Sequence, residues 1–191
     1  MFSERVQSRA AQRETTRQRV LATAERLFRD QGFAATTIRQ IAAAAGVSSG
    51  TVMAVGDKDA LLVAIFDGWI GAAHRSRAGS APAPTVDAIV ALFEPFIRYF
   101  ALDKGLSREY AAIIVRGAHE SAIFEDLARS LLGEITSVLE SAGSGDAERA
   151  ARVVYFSYLG ILMTVSHGTL GEPEAVDRLR EVVAFVIGAA A

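Results

Sequence analysis

The sequence predicts an all-α protein in two parts, a helical head over residues 1–57 and a larger helical body over 58–191, with about nine helices in all. Three observations predict it. Apolar residues recur at spacings of three and four along most of the chain, and no stretch alternates with the period of two that a half-buried strand requires. Residues 32–62, GFAATTIRQIAAAAGVSSGTVMAVGDKDALL, hold two side-chain caps and a glycine arranged for two short helices joined by a tight turn. Beyond that segment the Pro, Gly and Ser breakers gather at 78–85 (AGSAPAPT) and 141–146 (SAGSGD). The first break closes a connecting helix, 58–77, and is the candidate boundary before the rest of the body.

Taken in order, residues 1–12 read as a flexible arm in which Arg5, Arg9 and Arg13 recur every four residues. Made helical, that spacing would line one face and follow a phosphate backbone; otherwise the arm is a solvated, frayed terminus. A helix over 14–30 puts Val20, Ala24, Leu27 and Phe28 on one side and stops at Gly32. Thr37 followed three residues later by Gln40 is a capping box, so a helix begins there with Ile38, Ile41, Ala42 and Ala45 on one face. Gly46 turns the chain, and Ser48 caps a second short helix with Val47 outside it as an apolar anchor. A pair built in this way sets its second helix in a DNA major groove.

Asp57 caps a helix over 58–75 with Leu61, Leu62, Ile65, Phe66 and Trp69 as its apolar face. Five helices follow. The first covers 85–102 with Val86, Ile89, Val90, Phe93, Phe96, Ile97 and Phe100; the second is capped by Ser107 and runs to 117; the third covers 120–142. The fourth covers 147–170, and Gly171, Glu172 and Pro173 open the last, since Pro fits a first turn and Glu its positive end. The last two are apolar over most of their circumference. They are buried at the centre of the body or against a second copy.

Composition narrows the functions. With 51% apolar residues and a positive mean hydropathy the 191-residue chain is not disordered, and it has apolar surface to spare for a partner interface or a greasy pocket. It has no cysteine, hence no disulfide, thiolate zinc site or cysteine nucleophile. The N-terminus carries five arginines and no apolar segment, unlike a secretory signal, and the longest apolar stretches, 153–165 and 182–191, are shorter than the roughly 18–20 residues of a membrane span. A cytoplasmic protein without a membrane partner is expected. The net charge of −2 divides into +3 over residues 1–62 and −5 over the rest, as suits a nucleic-acid-facing head on a different body. His74, His119 and His167 lack metal-ligand spacing, and Gly143-Ser144-Gly145 lacks the spacing and strand of a phosphate loop. No catalytic residue, metal or cofactor is expected, and no enzyme.

Ala24–Phe28, Gly32-Phe33, Thr36-Thr37-Ile38, Ile41-Ala42, Ala45-Gly46-Val47-Ser48, Gly50-Thr51-Val52, Lys58 and Leu61-Leu62 stand in an order that resembles the tetracycline-repressor (TetR) family of bacterial regulators. The resemblance covers the first third of the chain. It implies a helix from Lys58 that connects head to body, and DNA contacts from Thr37, Arg39, Ser48, Ser49, Thr51, Met53 and Lys58. It implies a homodimer through the last two helices, whose heads meet half-sites about 34–36 Å apart on double-stranded operator DNA. It also implies a small-molecule effector held within the body, for which Phe96, Phe100, Arg116, His119, Tyr155, Tyr158 and Met163 are the candidate lining. The expected function is a ligand-responsive repressor. The rival is a helical dimer of the same fold that senses a ligand or protein and binds DNA poorly. That rival is motivated by a departure from the family pattern: Ser49, Met53, Ala54 and Val55 stand where the family usually has Lys, Tyr, an aromatic residue and His.

Overall fold

The computed structural model describes residues 2–77, 84–117, 119 and 121–190, which form nine helices and no strand. The head comprises α1 (Phe2–Gln31), α2 (Ile38–Ala45) and α3 (Ser49–Val55). Residues 2–12 continue α1 and are not an unstructured arm. The physical reason is local: no Gly or Pro precedes Gly32, and Ala10, Ala11 and the Gln, Arg and Glu residues around them are good helix formers. The apolar stripe of Val20, Ala24 and Phe28 packs on Ile41, Ala42, Ala45 and Val52, all buried. Phe28 meets Phe33 with ring centroids 5.0 Å apart.

The long α4 (Lys58–Arg77) belongs to both parts. Asp57 caps it, its carboxylate accepting from the Ala60 amide at 2.8 Å. Its first half buries Leu61 and Leu62 against the head, and its second half packs on α6 and α7 of the body. The break at 78–83 lies outside the described residues; Thr85, just after it, caps the next helix through the Ala88 amide at 3.2 Å.

The body consists of α5 (Val86–Leu102), α6 (Lys104–Arg116), α7 (Ala122–Ser141), α8 (Ala147–Ser166) and α9 (Glu172–Ala190). Two boundaries differ from the sequence reading. Asp103, not Ser107, caps α6, accepting from the Leu106 amide at 3.0 Å, because the helix must include Leu106 to bury it with Tyr110 and Ile113. Ser107 is thereby enclosed within the helix. In turn, α8 ends four residues early, at Ser166, where Gly168 takes a left-handed turn with φ +80° and Thr169 closes back on the Thr164 carbonyl. At the body's centre α5 packs on α8 and α9, and α8 on α6, α7 and α9. Phe93, Phe96, Ile97, Val154, Leu179 and Val183 fill that centre, each buried side chain contributing roughly 1.5–3 kcal/mol.

Candidate nucleic-acid interface

The turn between α2 and α3 is locked by groups close in sequence. The Thr37 hydroxyl accepts from the Gln40 amide at 3.3 Å, and the Gln40 side-chain oxygen accepts from the Thr37 amide at 2.8 Å. Gly46 sits at φ +62°, in the left-handed region, and its amide returns to α2 carbonyls. Ser48 accepts from the Thr51 amide at 3.1 Å, and the two hydroxyls lie 2.9 Å apart. Thr36, which the sequence reading did not single out as a site residue, is buried and donates to the Gly32 carbonyl at 2.8 Å, pinning the loop between α1 and α2 to the end of α1.

Of the expected DNA-contacting residues, Thr37, Arg39, Ser48, Ser49 and Met53 are exposed on the head, and Thr51 is half-buried. Lys58 has a different setting. Its ammonium donates to the Phe33 carbonyl at 3.0 Å and lies over the Phe33 ring at 4.4 Å, which ties the first turn of α4 to the loop after α1. No residue of α3 carries a charge. Beside it lies a feature that the sequence reading glimpsed only as a spacing: α1 and α3 bound an open cleft of about 740 Å³, lined by Arg9, Gln12, Arg13, Thr16, Arg17, Thr51, Ala54 and Val55. None of the described residues that line it is acidic.

Of the seven candidates for the body's interior, Phe96, Phe100, Tyr155 and Tyr158 come together. With Ile70, Tyr110, Leu127, Leu131, Leu159 and Leu162 they enclose a cavity of only about 30 Å³. Met163 is half-buried on α8 outside that lining. Tyr110 stacks on Phe66 of α4 at 4.2 Å, and its buried hydroxyl has no hydrogen-bond partner of good geometry among the described residues. Burial, reinforced by the Asp67 carboxylate, pushes its phenol above the ordinary range.

Arg116 and His119 are not brought to that cavity. They reach the start of α4, where Arg116 pairs with Asp59 at 3.4 Å and His119 with Asp57 at 3.3 Å. The two partners are far apart in sequence, so no periodicity could have joined them. Tyr99 of α5 makes another link, stacked on Trp69 of α4 at 3.5 Å. Burial pushes its phenol up to about 12, with Glu25 of α1 adding to the rise and Arg29 opposing it.

Residues 20–65 match the sequence pattern of the family described as bacterial regulatory proteins, tetR family. No curated protein matches the chain. Among solved structures, a TetR transcriptional regulator from Rhodococcus sp. RHA1 is 19% identical, with a TM-score of 0.66 over 95% of this chain and 99% of that one. FadR of Thermus thermophilus, a TetR-family transcriptional repressor solved in complex with lauroyl-CoA, is 20% identical, with a TM-score of 0.59 over 90% and 93%. The fatty acid degradation regulator FadR from Bacillus halodurans is 14% identical, with a TM-score of 0.55 over 91% and 95%. Identities this low speak for fold alone, and they do so along nearly the whole length of each chain. The chain thus carries the helix-turn-helix head of the tetR family on a body with the fold of TetR-family transcriptional regulators.

Proposed function

We propose that the protein is a homodimeric regulator that binds operator DNA and represses transcription until a small, largely apolar molecule enters the body and releases it. The observation that carries this reading is the double membership of α4. Its first turn closes the head through Lys58, and further along Phe66 stacks on Tyr110 while Ile70 walls the interior cavity. Binding sites for small molecules occupy roughly 300–1,000 Å³, so an effector has to open the cavity of about 30 Å³ at least several-fold. Opening it moves α4, and with α4 the head. A ligand acts in this way only if it prefers the DNA-incompetent arrangement. The aromatic and aliphatic lining suits an apolar chain, and the lauroyl-CoA bound to the Thermus thermophilus protein makes acyl thioesters the first candidates to try.

The dimer is supported by an uncovered apolar face. Phe156 is 65% exposed on α8 and Phe185 76% exposed on α9, with Val153 beside them in helical register, and a shallow groove between the two helices runs past Gly160, Ile161 and Val182. A second copy would cover it.

The chargeless α3 favours a second reading, a sensor of the same fold without specific DNA binding. One experiment separates them: fluorescence anisotropy of the purified protein with labelled DNA from upstream of its own and neighbouring genes, against scrambled DNA, at two salt concentrations. Selective binding that weakens with salt is expected of the regulator. Equal, weak binding to every duplex would reject it in favour of the sensor.

A further inference from the structure

We propose that the cleft between α1 and α3 is a second DNA-backbone site, in which Arg9, Arg13 and Arg17 grip the phosphate strand flanking the major groove entered by α3. The proposal rests on the DNA-binding reading above and says where its affinity comes from. Three observations lead to it.

The first is the state of the head's cations. Arg26 and Arg29 are paired with Asp30 and Glu25, and the Lys58 ammonium is held by the Phe33 carbonyl and ring. Arg9, Arg13 and Arg17 form no ion pair with any described carboxylate. The second is where those three lie. All line the one cleft of about 740 Å³, and its opposite wall is Thr51, Ala54 and Val55 of α3. An anion on that wall therefore meets guanidinium groups and, among the described lining residues, no carboxylate.

The third is spacing. Residues four apart on an α-helix stand on one face about 6 Å apart along its axis, so the three guanidinium groups form a row that meets successive anions along a chain better than one compact anion. Like charges four apart weaken the helix that carries them. That repulsion is relieved when the row is neutralised by phosphates, whose contacts orient a protein on duplex DNA without reading its sequence. The arrangement also accounts for a recognition helix without charge: α3 keeps the exposed Met53 for apolar base contacts while α1 supplies the phosphate contacts.

The test is anisotropy of the whole protein with a labelled duplex from upstream of its own gene, over a series of salt concentrations. Each phosphate contact contributes about 0.9 to the slope of log affinity against log salt. Because the dimer carries the cleft twice, the triple variant R9Q/R13Q/R17Q is expected to lower the slope by about 5.4, and R13Q alone by about 1.8. Arg19, on the same helix but outside the cleft lining, is the control: R19Q is expected to leave the slope unchanged. The ratio of affinities for the specific and scrambled duplexes should stay within about twofold in every variant, because the lost contacts carry no sequence information. Gln forms helix about as well as Arg, and circular dichroism checks that α1 survives. An unchanged slope in the triple variant, or an equal drop in R13Q and R19Q, overturns the cleft while leaving DNA binding in place. A parent protein that binds no duplex overturns the regulator itself, and the cleft with it.

Discussion

Lys58 is the residue whose setting alters its expected role most. Its ammonium fastens the start of α4 to the Phe33 carbonyl and ring before any DNA arrives, although two of its three protons remain for a phosphate. Lys58→Met should therefore cost about 1–2 kcal/mol of stability, seen in the urea midpoint, in addition to any loss of DNA affinity. Arg39→Gln, at an exposed position, should lower DNA affinity and leave that midpoint within about 0.5 kcal/mol. Tyr99 and Tyr110, like Tyr155, have phenols raised by burial and so contribute to a loss of stability at high pH. Their folded phenols hold protons that the unfolded chain releases near pH 10, so their contribution is complete below about pH 10 and is lost as the pH rises toward the folded values. Tyr110→Phe removes a hydroxyl that has no hydrogen-bond partner of good geometry among the described residues. It should leave stability at pH 7 within about 1 kcal/mol and soften the loss at pH 10.5, as urea unfolding at both pH values will show. Residue-level detail was legible where partners are close in sequence, as with Thr37 and Gln40. It was hidden where the fold brings distant partners together, as with Arg116 and Asp59.

Among the elements, the two short head helices begin where their caps predict and the first ends where Gly46 predicts, because those signals act locally. Gly46 tests this: nothing lies within 4 Å of where its Cβ would stand, so Gly46→Ala meets no clash, only the cost of the left-handed backbone at φ +62°. We expect a loss of about 1–2 kcal/mol in thermal unfolding, with Gly46→Asn falling between the two. Elements were misjudged where a local signal competed with a longer-range one. Ser107 is a plausible cap on its own, but the Leu106, Tyr110 and Ile113 stripe requires the helix to begin before it. The start of α1 is mostly polar, with only Phe2, Val6 and Ala10 at helical spacing, and good helix formers without a breaker carry the helix through it.

For the whole molecule, the two-part all-α design was legible from periodicity and from the pattern of residues 32–62. The interior was legible in part: the aromatic residues of α5 and α8 converge, whereas Arg116 and His119 stand at the joint between body and head. A surface ion pair such as Arg116–Asp59 is worth about 0.2–1 kcal/mol, and the His119–Asp57 contact adds one polar contact, so the joint is easily released. The double variant R116A/H119A should shift operator affinity by about two- to fivefold without touching DNA, as anisotropy will read. The uncovered face of α8 and α9 is tested by Phe156→Arg, which should convert the dimer to monomer in sedimentation velocity and weaken operator binding at least tenfold.

The closed interior has a consequence in time. A void of about 30 Å³ admits a water-sized guest at most, so an effector of the proposed kind can enter only during excursions that part α4 from α6 and α7. Such excursions belong to the microsecond-to-second range of collective motion, and their frequency is a property of the empty protein. At high effector concentration the observed association rate should stop rising and settle at that frequency. The delay between the arrival of a signal and its response is then written into the packing of aromatic rings, and a more abundant signal cannot shorten it.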